Sequence, residues 1–466
     1  MDILLINPPR YRKSGNIWKY VSACLPPFGL ALLASLAREK GYSVSILDCD
    51  ALKIGLEDIE KYLGKESPRF VGITAMTVLI SNALELAKIV KKVYPKTRVI
   101  MGGVHATLAP QEVLERKEVD FVIQGEGETS LIQILSGQDL KKIKGIAFKE
   151  NGKVIVNSPQ ETIEDIDSFP MLAYDLLPMD KYHPAQGGCK RKPSFSMITS
   201  RGCPGRCTFC KGNVLGDRIR FRSAEKIVKE IMFLQKNYGI RDITFYDDTF
   251  TTNRLRVKQF CDLILKNKVD LTWSCFSRVD TADSETLKEM KKAGCYQVMY
   301  GVESADEQIL KNINKKITFK KVEEAVEATK KAGIEVRLAF MLGNPGETEE
   351  TIKKTIDYAV FLDPDLVSFN ITTPYPGTEM FAWADKNNLL MHKNWAEYDL
   401  SKPVMNLPTV SSDKIIYYYK KAYRQFYMRP SYIFKRLLKM RSLEDLKSNL
   451  RPFLGLIKFI INKNND

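Results

Sequence analysis

Three cysteines carry the most specific chemistry in this chain. Cys203, Cys207 and Cys210 stand in the run Ser200-Arg201-Gly202-Cys203-Pro204-Gly205-Arg206-Cys207-Thr208-Phe209-Cys210, a C-x3-C-x2-C spacing. Thiolates are soft ligands that suit iron–sulfur clusters or zinc. A cubane [4Fe–4S] cluster normally takes four cysteines, so three on one tight loop leave an iron open to a substrate or cofactor. Zinc is the competing reading, but a structural zinc wants four protein ligands, often as paired C-x2-C units. The nearest further candidates, Cys189 and His183, have no ligand-like spacing. Gly202, Pro204 and Gly205 give the loop its turns, and Arg201 and Arg206 bring positive charge to the thiolates. The remaining six of the nine cysteines are scattered, and an odd count argues against a disulfide framework.

Two series of alternating strands and helices must position this loop. Over residues 1–140, apolar strands at 2–7, 44–47, 70–74, 98–101 and 121–123 alternate with helical patterns at 28–40 and 79–93. The last two strands run into Gly102-Gly103 and Gly125-Glu126-Gly127-Glu128. Such alternation predicts a parallel, doubly wound, Rossmann-like sheet, with its ligand crevice at the carboxyl ends of the strands. Residues 141–188 read as a linker containing a hairpin around Asn151-Gly152. A second series follows, with strands at 194–199, 242–246, 272–276, 297–300, 335–342 and 366–371. Six such units predict a partial (β/α)6, TIM-like barrel over residues 189–400, the cysteine loop ending its first strand where barrels place their active sites. The fold class is therefore α/β, with residues 401–466 as a helical extension, aromatic at Tyr417-Tyr418-Tyr419, Tyr423, Phe426 and Tyr427 and then basic and apolar by turns.

Acidic and polar residues end the later strands of the second series: Tyr246-Asp247-Asp248-Thr249-Phe250, Ser277-Arg278-Val279-Asp280, Gly301-Val302-Glu303-Ser304 and Gly343-Asn344-Pro345-Gly346-Glu347-Thr348. The cysteine run resembles the signature of the radical S-adenosylmethionine (SAM) superfamily, and these segments resemble that family in order and spacing across roughly residues 190–400. The resemblance implies that Cys203, Cys207 and Cys210 hold the cluster and that Phe209, Asp247, Asp248, Arg278, Glu303 and Ser304 contact SAM. It also implies that the loop 343–348 closes over the cofactor. Carboxylates at strand ends can pair the SAM ammonium and hydrogen-bond its ribose. Helix capping after a strand is the competing reading for each acid taken alone.

Residues 1–140 resemble the cobalamin-binding domain that precedes the radical SAM core in one large subclass. The resemblance is carried by Asn7-Pro8-Pro9, Pro26-Pro27-Phe28-Gly29-Leu30, Thr74-Ala75-Met76-Thr77, Gly102-Gly103-Val104-His105-Ala106-Thr107 and Gly125-Glu126-Gly127-Glu128. It implies cobalamin contacts from Thr74, Met76, Thr77, Gly102, Gly103, His105, Gly125, Glu126 and Gly127. The chain lacks the Asp-x-His-x-x-Gly motif whose histidine ligates cobalt in other cobalamin proteins. The implied mode is base-off and histidine-off, with His105 at the corrin periphery. The competing reading is a doubly wound fold without its ligand, or with a nucleotide. Gly125-x-Gly127 follows the last strand, whereas the dinucleotide fingerprint follows the first.

These resemblances imply a cobalamin-dependent enzyme that forms a 5′-deoxyadenosyl radical from SAM and methylates an unactivated carbon. The substrate is expected to be a small or lipid-like molecule and the reductant a protein such as ferredoxin or flavodoxin. A cobalamin-assisted cyclase or oxidase acting on a tetrapyrrole-like or lipid substrate is the alternative within enzymes. A non-catalytic iron–sulfur sensor is the alternative outside them. The net charge of +15 and pI near 9.2 suit anionic partners, of which nucleic acid is not expected. No apolar run is long enough to span a bilayer and the N-terminus does not read as a signal peptide, so a cytoplasmic location is expected. Residues 431–466 hold eight Lys/Arg against three Asp/Glu, with Phe434, Leu437, Leu438 and the run 453–461 as apolar partners. That composition suits peripheral contact with anionic lipid, against a helix packed over the barrel.

Overall fold

The computed structural model describes residues 1–10, 23–65, 67–185, 187–216, 218–439, 455 and 457–459. Most of the apolar run 453–461 and the basic tail around it lie outside the described residues.

The first sheet grows from five short apolar strands: β1 (Ile3–Asn7), β2 (Val44–Asp48), β3 (Phe70–Thr74), β4 (Arg98–Gly102) and β5 (Phe121–Ile123). They pair in parallel in the order β2-β1-β3-β4-β5. Strands buried on both faces must be apolar throughout. Here Leu4, Ile6, Val71, Ile73 and Val99 face one core while Ile3, Leu5, Phe70, Ile100 and Phe121 face another. The chain reverses its winding at β1, which has β2 on one side and β3 on the other. That switch point opens a crevice beyond Asn7 and Thr74.

The hairpin of β6 (Ile146–Glu150) and β7 (Lys153–Val156) is not part of a free linker. It continues the first sheet, β6 pairing antiparallel with β5. Ile146 and Phe148 are buried in the same core as Phe121, and β5 would otherwise present an unpaired edge. The segment that follows is stitched to both halves of the molecule. The Ser35 hydroxyl donates to the Met171 carbonyl at 2.6 Å and the Tyr182 hydroxyl to Asp48 at 2.7 Å, and the Tyr174 hydroxyl donates to Glu230.

The second sheet begins at β8 (Ser194–Met197), followed by a two-residue ladder of β9 (Ser200–Arg201) and β10 (Arg220–Phe221). Then come β11 (Asp242–Phe245), β12 (Thr272–Ser277), β13 (Cys295–Glu303), β14 (Glu335–Leu342) and β15 (Leu366–Ile371). The order β15-β14-β13-β12-β11-β8 is parallel throughout, giving the expected partial barrel of six strands. Its outer face is a layer of helices with explicit ends. For Ala224–Tyr238, Ser223 accepts from the Lys226 N–H at the start and Gly239 takes a left-handed φ of 65° at the stop.

An incomplete barrel has edges, and the helix Ser412–Tyr427 closes one of them. The Tyr427 hydroxyl accepts from the Val367 N–H at 3.0 Å and donates to the Val367 carbonyl at 2.6 Å. Tyr423, one helical turn earlier, does the same for Phe369 at 3.3 and 2.9 Å. The aromatic stretch thus satisfies the free backbone groups of β15. Between barrel and helix the chain returns to the first sheet, where Trp395, Tyr398 and Val404 join its core, so the end of the unit expected over 189–400 packs on the other half. Tyr423→Phe and Tyr427→Phe should each lower folding stability by about 1–3 kcal/mol, because each leaves a buried N–H and C=O unpaired. A denaturation midpoint unchanged in the double variant would show that the edge does not depend on these hydroxyls.

Candidate functional site

The cysteine loop leaves the sheet after β8 and returns at β10. Gly202 takes φ +97°, and a Cβ there would lie 2.9 Å from the Arg218 carbonyl oxygen, so only glycine lets the two arms of the loop close. A Cβ on Gly205 would sit 3.4 Å from Cys203 Sγ and 3.8 Å from Cys207 Sγ. One on Gly212 would sit 3.7 Å from both Cys210 Sγ and Asp248 Oδ2. The glycines leave space against all three sulfurs. Burial pushes the Cys207 thiol up against the opposing pull of Lys315 and Arg278, and pushes Cys210 up to about 11. Metal binding would displace those protons. Zinc fits poorly, because a single ion about 2.3 Å from each sulfur needs ligands converging on a point. Among the described residues no three His, Cys, Asp or Glu do so. A cubane takes its cysteines at separate corners and fits the wider spread.

Two ion pairs flank the loop. Arg278 is held by Asp280 through two hydrogen bonds of 2.9 Å, with Nη1 3.2 Å from where a Gly205 Cβ would be. Glu303, at φ +72°, pairs with Lys315 at 2.8 Å. A Cβ on Gly301 would lie 2.9 Å from that ammonium. Burial works against the charge of Lys315, but Glu303 and Cys207 outweigh it and its pKa is raised.

The other residues expected at SAM differ in their surroundings. Asp248 faces the open space beside Gly212, and burial, then the Asp247 charge, raises its pKa. Asp247 itself is fully buried. It accepts from the Thr199 N–H, from the Thr199 hydroxyl at 2.6 Å, from the Ser200 N–H at 3.1 Å and from Arg256 at 3.3 Å. It therefore anchors the start of the cysteine loop. Ser304 is buried and accepts at 3.2 Å from the N–H of Asp306, the residue that caps the helix Glu307–Asn312. Phe209 packs against the barrel core. The loop 343–348 is braced by its own hydrogen bonds. Glu347 accepts from the Gly343 and Asn344 N–H groups and Asn344 accepts from Thr372 at 2.9 Å, while burial pushes Glu347 to about 8.

One cavity of ≈ 780 Å³ joins the carboxyl ends of both sheets. Thr74, Met76, Gly102, Gly103, Gly125 and Gly127 line it from the first sheet. Ser200, Gly202, Lys211, Gly212, Tyr246 and Asp248 line it from the barrel. A Cβ on Gly102 would meet nothing within 4 Å and its φ is not positive. Nothing in the protein itself requires glycine there, which is what close approach of a large ligand would explain. Two buried polar atoms without partners, Glu128 Oε2 and Ser200 Oγ, belong to residues of the same lining, where a ligand could satisfy them. The residues present thus fit a large amide-bearing cofactor on one side and a cluster with its cosubstrate on the other.

Three residues expected at cobalamin have partners within the protein. His105 is fully buried below the cavity floor, Nδ1 3.4 Å from the Thr77 hydroxyl, Nε2 3.6 Å from Glu112 and its ring 5.4 Å from Trp395. Thr77 is buried with it. Glu126 borders the cavity, but its carboxylate is spent. It takes Arg201, two contacts of 2.8 Å from Arg220 and the Ile163 N–H at 2.9 Å. Burial raises its pKa, and these donors bring it back below the usual carboxylate range. Arg201 also reaches Glu128 at 2.6 Å. Glu128, Arg220, Arg256 and Lys315 are site residues the sequence reading missed. Their partners lie up to 94 positions away, and no local motif announces them.

A doubly wound sheet and an open barrel that share one chamber, walled by a three-cysteine loop, define an enzyme that sets a large cofactor against an iron–sulfur cluster. Residues 197–359 match the Radical SAM superfamily and residues 18–135 the B12 binding domain. An uncharacterized methyltransferase of Pyrococcus horikoshii is 41% identical over 93% of this chain and 94% of its own. The anaerobic magnesium-protoporphyrin IX monomethyl ester cyclase of Rubrivivax gelatinosus is 27% identical over 93% of this chain and 78% of its own. Among solved structures, the cobalamin-dependent SAM radical enzyme OxsB shares the fold with a TM-score of 0.75 at 18% identity, covering 97% of this chain and 72% of that one. The radical SAM methyltransferase TsrM from Kitasatospora setae has a TM-score of 0.71 at 18% identity, covering 92% and 90%. The chain belongs to the cobalamin-binding radical SAM enzymes. Its cofactors are a [4Fe–4S] cluster, SAM and cobalamin.

Gly102→Val tests the cradle. It should change folding stability by less than about 1 kcal/mol while abolishing the absorbance of bound cobalamin after reconstitution. Retention of cobalamin would place the cofactor elsewhere.

Proposed function

We propose that this enzyme transfers a methyl group to an unactivated carbon of a small or lipid-like substrate. The observation that carries the reading is the single cavity reached by the glycines of the first sheet, by Asp248 and by the cysteine loop. The 41% identical methyltransferase supports methyl transfer over other outcomes. On this reading residues 1–140 are the cobalamin-binding unit and residues 189–400 the radical SAM core. Cys203, Cys207 and Cys210 hold the cluster, and Asp248, Arg278 and the Glu303–Lys315 pair line the SAM site. Thr74, Met76, Gly102, Gly103, Gly125 and Gly127 bear on cobalamin. The cofactors would supply a deoxyadenosyl radical and a methyl donor; the protein supplies position, charge and a shielded chamber. None of the three histidines lines the cavity, which supports a base-off, histidine-off mode. A protein reductant such as ferredoxin or flavodoxin would feed the cluster.

The substrate's lipid-like character has its own support. On the helix Pro430–Lys439, Phe434, Leu437 and Leu438 are exposed by 64, 53 and 70% at i, i+3 and i+4 spacing, with Lys435 and Arg436 between them. Such a face suits a shallow contact with anionic lipid. No helix among the described residues is long and apolar enough to cross a membrane.

Reconstituted enzyme given SAM with a deuterated methyl group should pass label to its substrate and form deoxyadenosine. The Cys203/Cys207/Cys210→Ala variant should lose iron and SAM cleavage by at least about a hundredfold. Deoxyadenosine without labelled product would favour the cyclase-like alternative. In a sedimentation assay the protein should pellet with vesicles rich in phosphatidylglycerol, and Phe434→Ser/Leu438→Ser should stay in the supernatant. Equal partitioning of both would remove the membrane contact.

A further inference from the structure

The barrel lumen holds a cation that has no ion-pair or hydrogen-bond partner among the described residues. Along β14, Val336, Leu338, Phe340 and Leu342 are wholly buried toward the helices, so Glu335, Arg337, Ala339 and Met341 face the lumen. The register sets Arg337 beside Met299 on β13 and Leu366 on β15, and Met299 beside Phe276 on β12. Tyr246, the residue after β11, comes level with Phe276, their rings 5.1 Å apart. These side chains form one half-buried layer across the lumen. Its floor comes from the connector. The Thr244 hydroxyl donates to the Gly188 carbonyl at 2.9 Å and Gln297 Nε2 donates to the Gly187 carbonyl at 3.1 Å. On its other side Tyr246 lines the cavity that passes Gly212 and Asp248.

In this layer Arg337 is the only charged group, and among the described residues none accepts a hydrogen bond from it or pairs with it. Glu335, two residues earlier on the same face, is engaged by Gln297 at 3.3 Å. The hydroxyls of Tyr246, Tyr423 and Tyr427 feel the charge of Arg337, and burial holds each of them in its neutral form. A half-buried guanidinium without a counter-ion destabilises the fold that carries it. Guanidinium is also the side chain best shaped to take a carboxylate or phosphate through two parallel hydrogen bonds. Around it stand two aromatic rings, Met299 and Leu366.

We infer that Arg337 binds the anionic end of the substrate, and that the substrate joins a carboxylate or phosphate group to an apolar body seated on Phe276, Tyr246 and Met299. This deepens the proposed methyl transfer and rests on it for calling the ligand a substrate. The test uses reconstituted holoenzyme and calorimetry with decanoate, decyl phosphate and decanol. Wild type should bind at least one of the two anions, and the tighter of them identifies the headgroup. Arg337→Gln should weaken that binding at least about tenfold and leave decanol unchanged. Arg337→Lys, which keeps the charge without the fork, should fall between and guards against a glutamine variant that does not fold. Wild type that binds neither anion, or anion affinity equal in wild type and both variants, would overturn the inference. Anion binding that depends on Arg337, in an enzyme that transfers no labelled methyl group to any product, would sink the methyl-transfer reading alone.

Discussion

The cluster loop is clamped at its neck by a carboxylate from the other half of the molecule. β9 and β10 bring Arg201 and Arg220 directly opposite each other. Like charges at that position repel, and both arginines are largely buried. Glu126, from the loop after β5, inserts between them and binds both, while Glu128 takes the second arm of Arg201. Two acids and two bases make a closed, neutral set. Removing any one would strand a buried charge at a cost of about 3–5 kcal/mol. The ladder that starts and ends the cysteine excursion therefore exists in this form only when the first sheet is docked. The position of the thiols and the position of the glycine cradle are set by one contact.

The remaining joints act in the same direction. Asp247 fixes the other approach to the loop, tying Thr199 and Ser200 to Arg256. The connector pins the first helix through Ser35 and the barrel helix through Glu230. Beyond the barrel, Trp395 closes over His105 and donates to Glu112 at 2.7 Å. Contacts at the neck, along the connector and at Trp395 surround the cavity. The geometry between cofactors can then be held without a large interface at the cavity itself, which must stay open.

Much of this was legible in the sequence because it is written locally. The cysteine spacing, the six strands of the barrel and the glycines after β4 and β5 depend on neighbours a few residues apart, and all appear where the pattern puts them. A second set of residues shares a different property. Glu126, Asp247, Ser304 and His105 are polar groups at strand ends, where a ligand contact and an internal anchor look alike. What decides between them is a partner 75 positions distant for Glu126 and Arg201, 48 for Asp247 and Thr199 and 51 for Ser304 and Thr355. The hairpin was misplaced for the same reason. Its own turn was plain, but the exposed edge of β5 that needed it was not. His105 is the clearest case, because its burial depends on a tryptophan that returns from the far end of the chain.

The anchors also explain why so few charged groups are free in the chamber. Each acid or base tied into the frame is withdrawn from ligand binding, and the frame uses nearly all of them. Asp248 is left facing the cavity, with Lys211 on its wall and Arg337 in the lumen below. Each charge left without a partner inside the chamber raises the desolvation cost of the protein alone. Charges retained under that cost are the ones whose partner arrives with the ligand. On the proposed function Asp248 would find such a partner in the ammonium of SAM, and Arg337, one barrel layer deeper, would find it in the anion inferred for the substrate.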